Sequence, residues 1–476
     1  METIEKIKEA FGNASDLIVR DFHIGECTIY LVQNEVLCTS SFINEYILTR
    51  LTKLPLTKQN KEELLYNVLP DNSVKKLDDL DQMLDFICKG FALLIYEEGK
   101  AIAIEAKASL DRGIGEASNE STIRGSKDSF NENFNTNLGL IRRRIRSEHC
   151  FMETYFLGKE SRVKTGILYM NNIVLKEHVD TVKEKLEKIN VDGILDSGSL
   201  KKYIEEKHNF LFPTVLSTER PDRAAQALLE GKIVIIADNS PFALITPSFF
   251  VDYLHSPDDY YQRASNITFL RLIRLFAFLI AIFIPGLYIA LTTHNQDMLP
   301  FDLLLNFSAQ RTSVPFSALI EALFMSISFE ILRESDIRKP ASMGSAVSIL
   351  GGLILGDAAV SAGIISPIMI IVISISAISG LAFTSQEMIS TLRWLRFIMM
   401  LLAFLFGIFG IFCGLIFLLA SLTTTTTLNL PYLAPITPLI KDELKDSLIK
   451  MKSSKIRKRN PLLTKNKVRE REAQEK

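Results

Sequence analysis

Glu321 and Glu330 stand inside the run VPFSALIEALFMSISFEIL, residues 314–332, where most other side chains are apolar. A carboxylate at bilayer depth costs about 2.5–3.5 kcal/mol on insertion scales, so it must face protein or water. Ser317, Glu321 and Ser328 fall at i, i+4 and i+11, roughly one stripe of a helix. When several copies surround an axis, such a polar stripe on an otherwise apolar helix can line an aqueous path. The same pattern also reads as a helix lying in the membrane interface, or as acids paired with Arg333 or Arg338 in a packed bundle. Glu330 and Asp357, the latter deep in the next apolar segment, complete the pore-lining candidates.

A second chemical cluster is SFNENFNTNLGLIRRRIR, residues 129–146. Ser129 and Glu132 form a capping-box pattern that predicts a helix start. Phe130, Phe134, Leu138, Ile141 and Ile145 then recur at helical spacing as one stripe to be buried. Arg142, Arg143, Arg144 and Arg146 lie off that stripe near the helix C-terminus, where cations meet the dipole favourably. They read as a solvated, dipole-matched end, or as a contact for another subunit or for lipid head groups. Phosphate capture by a Gly-rich loop does not fit, because RGSKDS at 124–129 lacks P-loop spacing.

Other chemistries find little support. The six histidines show no HxH or HxxxH spacing, and RGIGEAS at 112–118 is a lone GxG. The acids of SPDDYY, 256–261, are expected to be solvated rather than to hold a metal. The five cysteines form no CxxC pair, which favours reduced thiols in a cytosol-facing region over a disulfide framework or zinc site. A net charge of −1 argues against a nucleic-acid binder. The expectation is a non-enzyme without cofactor or metal.

The elements that would position these groups divide the chain in two. Residues before about 265 are mixed and charged, and METIEKIKEAFGNASD has no apolar core of a signal peptide, so this part is expected in the cytoplasm. LFAFLIAIFIPGLYIAL, 275–291, predicts a spanning helix, with Arg263, Arg271 and Arg274 on its inner flank. Residues 342–384 predict two helices broken at Gly363–Pro367, and 396–422 a last one with a Gly407, Gly410, Gly414 face suited to close packing. Arg333, Arg338 and Lys339 mark one cytoplasmic loop and Arg393 and Arg396 another. Five full crossings would strand the basic tail outside, so the Pro-broken LNLPYLAPITPLI, 428–440, is expected to re-enter and return it.

In the soluble half, ECTIYLVQNEVLCTS reads as a hairpin around Gln33 and Asn34, and FALLIYEEGKAIAIEA as one around Glu98 and Gly99. TGILYM, 165–170, and KIVIIAD, 232–238, read as strands, and TERPDRAAQALLEGK as a short helix opened by Pro221 and closed by Gly231. The fold class is therefore an α+β or α/β cytoplasmic region of two subdomains, 1–110 and 111–265, followed by an all-α polytopic membrane domain, 266–440, and a basic cytoplasmic tail, 441–476.

Taken in order, IRGSKDSFNENFNTNLGLIRRRI, FPTVLSTERPDRAAQALLEGKIVI, PSFFVDYLHSPDDYYQ, RLIRLFAFLIAIFIPGLYIAL, VPFSALIEALFMSISFEILRE, LGDAAVSAGIISPIMIIVI and PYLAPITPLIKDELKDSLI resemble the A subunit of GerA-type spore germinant receptors. The resemblance implies a multi-pass protein of the inner spore membrane, with its N-terminal region in the cytoplasm. It implies a homo-oligomer forming a gated cation channel, partnered by a B subunit resembling an amino-acid transporter and by a C subunit lipoprotein. It places the family's arginine-rich helix at Phe130 through Arg146 and its membrane-adjacent glutamates at Glu321 and Glu330. Ser126 departs from the family's usual proline after Arg124 and Gly125. An accessory paralogue, or a membrane-anchored nutrient-binding module, are the alternative readings.

Overall fold

The computed structural model describes residues 2–25, 27–51, 61–68, 74–108, 117, 120, 122, 125–206, 211–337, 352, 354–451, 456, 458–465 and 468. The stretch 112–116 and the basic pair Arg338 and Lys339 lie outside the described residues.

Strands β1 (Leu17–Ile24), β2 (Cys27–Asn34), β3 (Lys75–Leu77), β4 (Phe91–Glu97) and β5 (Lys100–Glu105) form an antiparallel sheet in the order β1-β2-β4-β5-β3. β4 and β5 are continuously apolar because both faces are covered. Helices α1 (Glu2–Ala10) and α2 (Leu80–Cys88) set Ile7, Met83 and Ile87 against Leu93 and Ala103 on one side. Ile43, Ile47 and Leu51 pack with Leu94 and Ile102 on the other. The hairpin at Glu98 and Gly99 forms as its sequence predicts. The one expected at Gln33 and Asn34 does not: both end β2, which turns instead at Gly25. Asn34 is used as a bracket, donating to Asp16 Oδ2 at 2.8 Å and accepting from the backbone of Val36 and Leu37.

A second antiparallel sheet runs β6 (Cys150–Leu157), β7 (Val163–Met170), β9 (Ile233–Ala237), β10 (Ala243–Thr246), β8 (Leu216–Thr218). With every described pairing antiparallel, the N-terminal half is α+β. Helix α3 (Phe134–Arg144) buries its expected stripe, Phe130, Phe134, Leu138, Ile141 and Ile145, to 5% exposure or less. Its cap is Asn133, whose Oδ1 accepts from Thr136 N at 3.0 Å, so the Ser129–Glu132 capping box is overridden. Helices α4 (Lys176–Glu187) and α5 (Ser197–Ile204) cover the opposite face, and α6 (Pro221–Leu229) packs beside α3, with Pro221 at its first turn.

The helical half comprises α7 (Ala264–Thr293), α8 (Phe301–Arg311), α9 (Ala318–Ile337), α10 (354–361), α11 (Pro367–Gly380) and the segment Gln386–Thr424. By length and composition, Ala264–Thr293 and Gln386–Thr424 are the two described helices able to cross a membrane. The second of these is broken at Gly407 (φ 61°, ψ −142°), which divides it into α12 (386–406) and α13 (408–424). A Cβ on Gly410 would strike Leu402 O, and one on Gly414 would strike Met399 Sδ. Residues so far apart in sequence do not meet along one straight helix, so α13 folds back antiparallel on α12.

This hairpin, rather than re-entry at 428–440, returns the chain to the N-terminal half. Thr427 Oγ1 donates to Thr214 O at 3.0 Å, Phe250 N to Tyr432 O at 3.0 Å, and Leu175 N to Leu463 O at 3.1 Å. Tyr432 is fully buried against Phe212, Phe250 and Tyr253. The same core continues through Phe278, Phe383, Met388 and Leu392, so sheet and helical bundle share one apolar interior. Each large side chain buried there contributes about 1.5–3 kcal/mol.

Candidate functional site

Glu321 sits in the first turn of α9, and its position there turns it inward, to 1% exposure. Its Oε2 accepts from Ser366 N at 2.9 Å and Ser366 Oγ at 2.8 Å, which caps α11 where Pro367 opens it. Its Oε1 lies 3.4 Å from Arg311 at the end of α8. A carboxylate at a helix N-terminus opposite a guanidinium is doubly favoured. The expected outward stripe therefore breaks at Glu321, which points into its own bundle. The pairing with an arginine holds, with Arg311 in place of Arg333 or Arg338.

Glu330 accepts from Arg393 at 2.8 Å, and Ser328 Oγ bonds back to Phe324 O. Ser317 lies half-buried just ahead of α9. Asp357 is exposed on α10. Thus the structure does not gather the five candidates into one cluster: Glu321 and Glu330 are held by separate arginines, and Asp357 faces outward. Arg393 and Arg396, read from sequence as a cytoplasmic loop, lie within α12. Arg396 is 5% exposed and donates to Ala281 O at 3.0 Å and Ser376 O at 3.1 Å. Carbonyl acceptors on two neighbouring helices supply what a loop would have found in water. Arg311 and Ser366 were missed because their relation to Glu321 exists only across helices.

The arginine helix is likewise mostly turned inward. Arg142 is 3% exposed, with Nε 3.1 Å from Asp16 Oδ2 and Nη1 on Cys150 O, and so ties the region of the first sheet to that of the second. It is not a surface contact. Arg144 pairs with Asp128 at 2.6 Å. Burial alone would raise Asp128, but the bonds from Arg144 and Ser126 outweigh it and hold the carboxyl below its usual range. Asn137, 1% exposed, accepts from Asn131 N at 2.8 Å, so the asparagines brace the turn before the helix. Arg143 and Arg146 are exposed and keep the subunit-contact reading. Replacing Arg142 with methionine strands Asp16 in the interior and is expected to cost about 3 kcal/mol, read as a lowered melting temperature of the full chain.

The N-terminal half meets α7 through a second buried set. Asp259, expected in solvent, is 1% exposed and receives Arg271 at 3.1 Å and Arg274 at 2.9 Å. Arg271 also donates to Asp446 O and Ser447 O of the tail. Beside them lies a cavity of about 60 Å³ lined by Lys232, Phe249, Asp252, His255, Tyr260 and Asp446. His255 Nε2 is 2.8 Å from Ser447 O. Burial, then the nearby Arg271 cation, depresses His255 well below the ordinary imidazole range, with Lys450 and Lys232 adding to it. An unfolded histidine takes up a proton near pH 6.5 while this one stays neutral, so stability falls as pH drops below about 6.5. Tail cleavage by a protease is expected to quicken between about pH 7 and pH 5, and a His255→Gln chain to lose that dependence.

The family model described as Bacillus/Clostridium GerA spore germination protein matches residues 5–462. The chain belongs to the GerA family. Among its relatives, spore germination protein KA of Bacillus subtilis (strain 168) is 34% identical over 94% of this chain and 84% of its own. Spore germination protein GerQA of Bacillus cereus is 31% identical over 98% and 94%. The crystal structure of the N-terminal domain of the A subunit of the Bacillus megaterium spore germinant receptor GerK3 is 29% identical, covering 52% of this chain and 94% of that one, with a TM-score of 0.41. In this GerA chain the arginine-rich helix, Glu321 and Glu330 have internal partners.

Proposed function

We propose that this chain is the A subunit of a nutrient germinant receptor in the inner spore membrane, and that copies gather around an axis to form a gated cation path. Asp357 carries the reading. It stands exposed on α10 among outward isoleucines, with Ile354 58%, Ile371 58% and Ile375 46% exposed. Facing lipid, that acid would cost about 2.5–3.5 kcal/mol, whereas a neighbouring copy and a water-filled axis relieve the penalty. Half-buried Ser317 and Ser328 offer further polar groups, and Glu330 supplies charge held in reserve by Arg393. The Gly407 hairpin supports placing both the N-terminal region and the basic tail on the cytoplasmic side. The family context supports a B subunit resembling an amino-acid transporter and a lipoprotein C subunit as partners.

Planar-bilayer recording of the purified full chain tests the reading. Asp357→Asn is expected to lower cation conductance severalfold, and unchanged conductance removes Asp357 from the path. Arg143→Glu with Arg146→Glu is expected to weaken assembly on native gels while leaving the melting temperature unaltered. Intact oligomers would show that those arginines are not a subunit contact.

A further inference from the structure

We infer that Tyr288, Arg311, Glu321 and Ser366 enclose a buried water site that latches α8 onto the helical bundle. Three polar atoms converge here without a hydrogen-bond partner among the described residues: Tyr288 Oη, Arg311 Nε and Glu321 Oε1. All three atoms are buried: the Glu321 side chain is 0% exposed and Tyr288 6%, and although Arg311 is 22% exposed its Nε is covered. Buried polar groups left unmade are costly, and a polar pocket with several such groups is where an internal water belongs. One water accepts from Arg311 Nε–H and donates to Glu321 Oε1, with the Tyr288 hydroxyl completing its shell. The second glutamate oxygen is already spent on Ser366.

The latch matters because, among the described residues, little else holds α8. That helix has no buried residue, and Phe301, Leu303 and Leu305 are 71%, 41% and 53% exposed. Besides Arg311, its grip among the described residues is Phe307, tilted against Tyr288 with ring centroids 5.8 Å apart. The loop after it rests on the α10–α11 turn, where Ser313 O lies 3.3 Å from a Cβ placed on Gly363. Glu321 is thus a positioning residue that joins α8, α9 and α11 within one protomer. Its consequence for ion flow rests on the channel reading; the water site does not.

Hydrogen exchange of the full chain in lipid vesicles, followed by mass spectrometry, tests it. Arg311→Gln and Glu321→Gln are each expected to speed exchange of residues 301–313 roughly tenfold, the size set by losing a bond to a buried charged group. The second sheet should not change. Because one latch is broken either way, the double variant should exchange no faster than the more affected single one. Tyr288→Phe, which keeps the packing and removes only the hydroxyl, should speed exchange a few-fold. Unchanged exchange in Arg311→Gln and Glu321→Gln overturns the latch, as do effects that multiply in the double variant. Unchanged exchange in Tyr288→Phe overturns the water site. Cation flux in the same vesicles reports separately on the channel: its absence from the unaltered chain defeats that reading and leaves the latch standing.

Discussion

A Gly407→Val chain is expected to lose the fold of its entire C-terminal part. The backbone at this position, φ 61° and ψ −142°, lies where side chains other than glycine's are strained by about 1–3 kcal/mol. A Cβ would also lie 2.5 Å from Asn295 Oδ1 and 2.8 Å from His294 Cβ, so the loop after α7 would have to move. That loop holds the turn in place: Asn295 Oδ1 accepts from Ile408 N at 3.0 Å, and His294 Nε2 bonds Phe404 O at 2.6 Å. The competing state is one continuous helix of 39 residues, about 58 Å long and far beyond a bilayer core of about 30 Å. Its far end would carry Tyr432 and the tail away from the sheet they cover. With Cys413 replaced by serine and cysteine placed at Lys441, a membrane-impermeant maleimide added outside should, on the proposed topology, spare the chain that keeps Gly407. It should label the variant, or find it degraded. A variant with ordinary melting and a shielded tail would show that Gly407 is dispensable.

Asp259→Ala is expected to cost about 5 kcal/mol, the upper end for breaking a buried pair, because two cations lose one carboxylate. Arg271 is fully buried and Arg274 14% exposed, so neither can recover in water what it loses. Asp446, 3.4 Å from Arg271, is the remaining acid and offers only partial relief. The tail should detach first, since Arg271 is the side chain that grips the Asp446 and Ser447 carbonyls. Melting of the purified protein in detergent and protease sensitivity of residues 441–464 would read the change. Arg271→Met in the Asp259→Ala background should recover part of the loss by removing one orphaned charge. If Asp259→Ala alone melts normally, the junction is not what fastens tail to helix.

Where structure is written in neighbouring residues, the chain was legible. The buried stripe of α3, the Pro221 start of α6, the Glu98–Gly99 hairpin and the break at Gly363–Pro367 each depend on periodicity or punctuation within a few positions. The order of short motifs, from the arginine helix to PYLAPITPLI, also pointed to the GerA family. The same local logic misled where a distant group intervened. Asn133 displaced Ser129 as the helix cap, and Asn34 ended a strand instead of turning it because Asp16 and the following backbone needed its side chain.

From the sequence alone came the apolar stretches, their punctuation, the two-part organisation and the presence of acids and arginines at unusual depth. The tertiary structure decided which charge meets which: Asp16 with Arg142, Asp259 with Arg271 and Arg274, Glu321 with Arg311 and Ser366, Glu330 with Arg393. It also decided that Gly407 turns the chain back. Periodicity and turn chemistry act over a few residues and can be read along the chain. The partner of a buried charge is whatever the returning chain brings within about 4 Å, and desolvation forces the pairing once it is there.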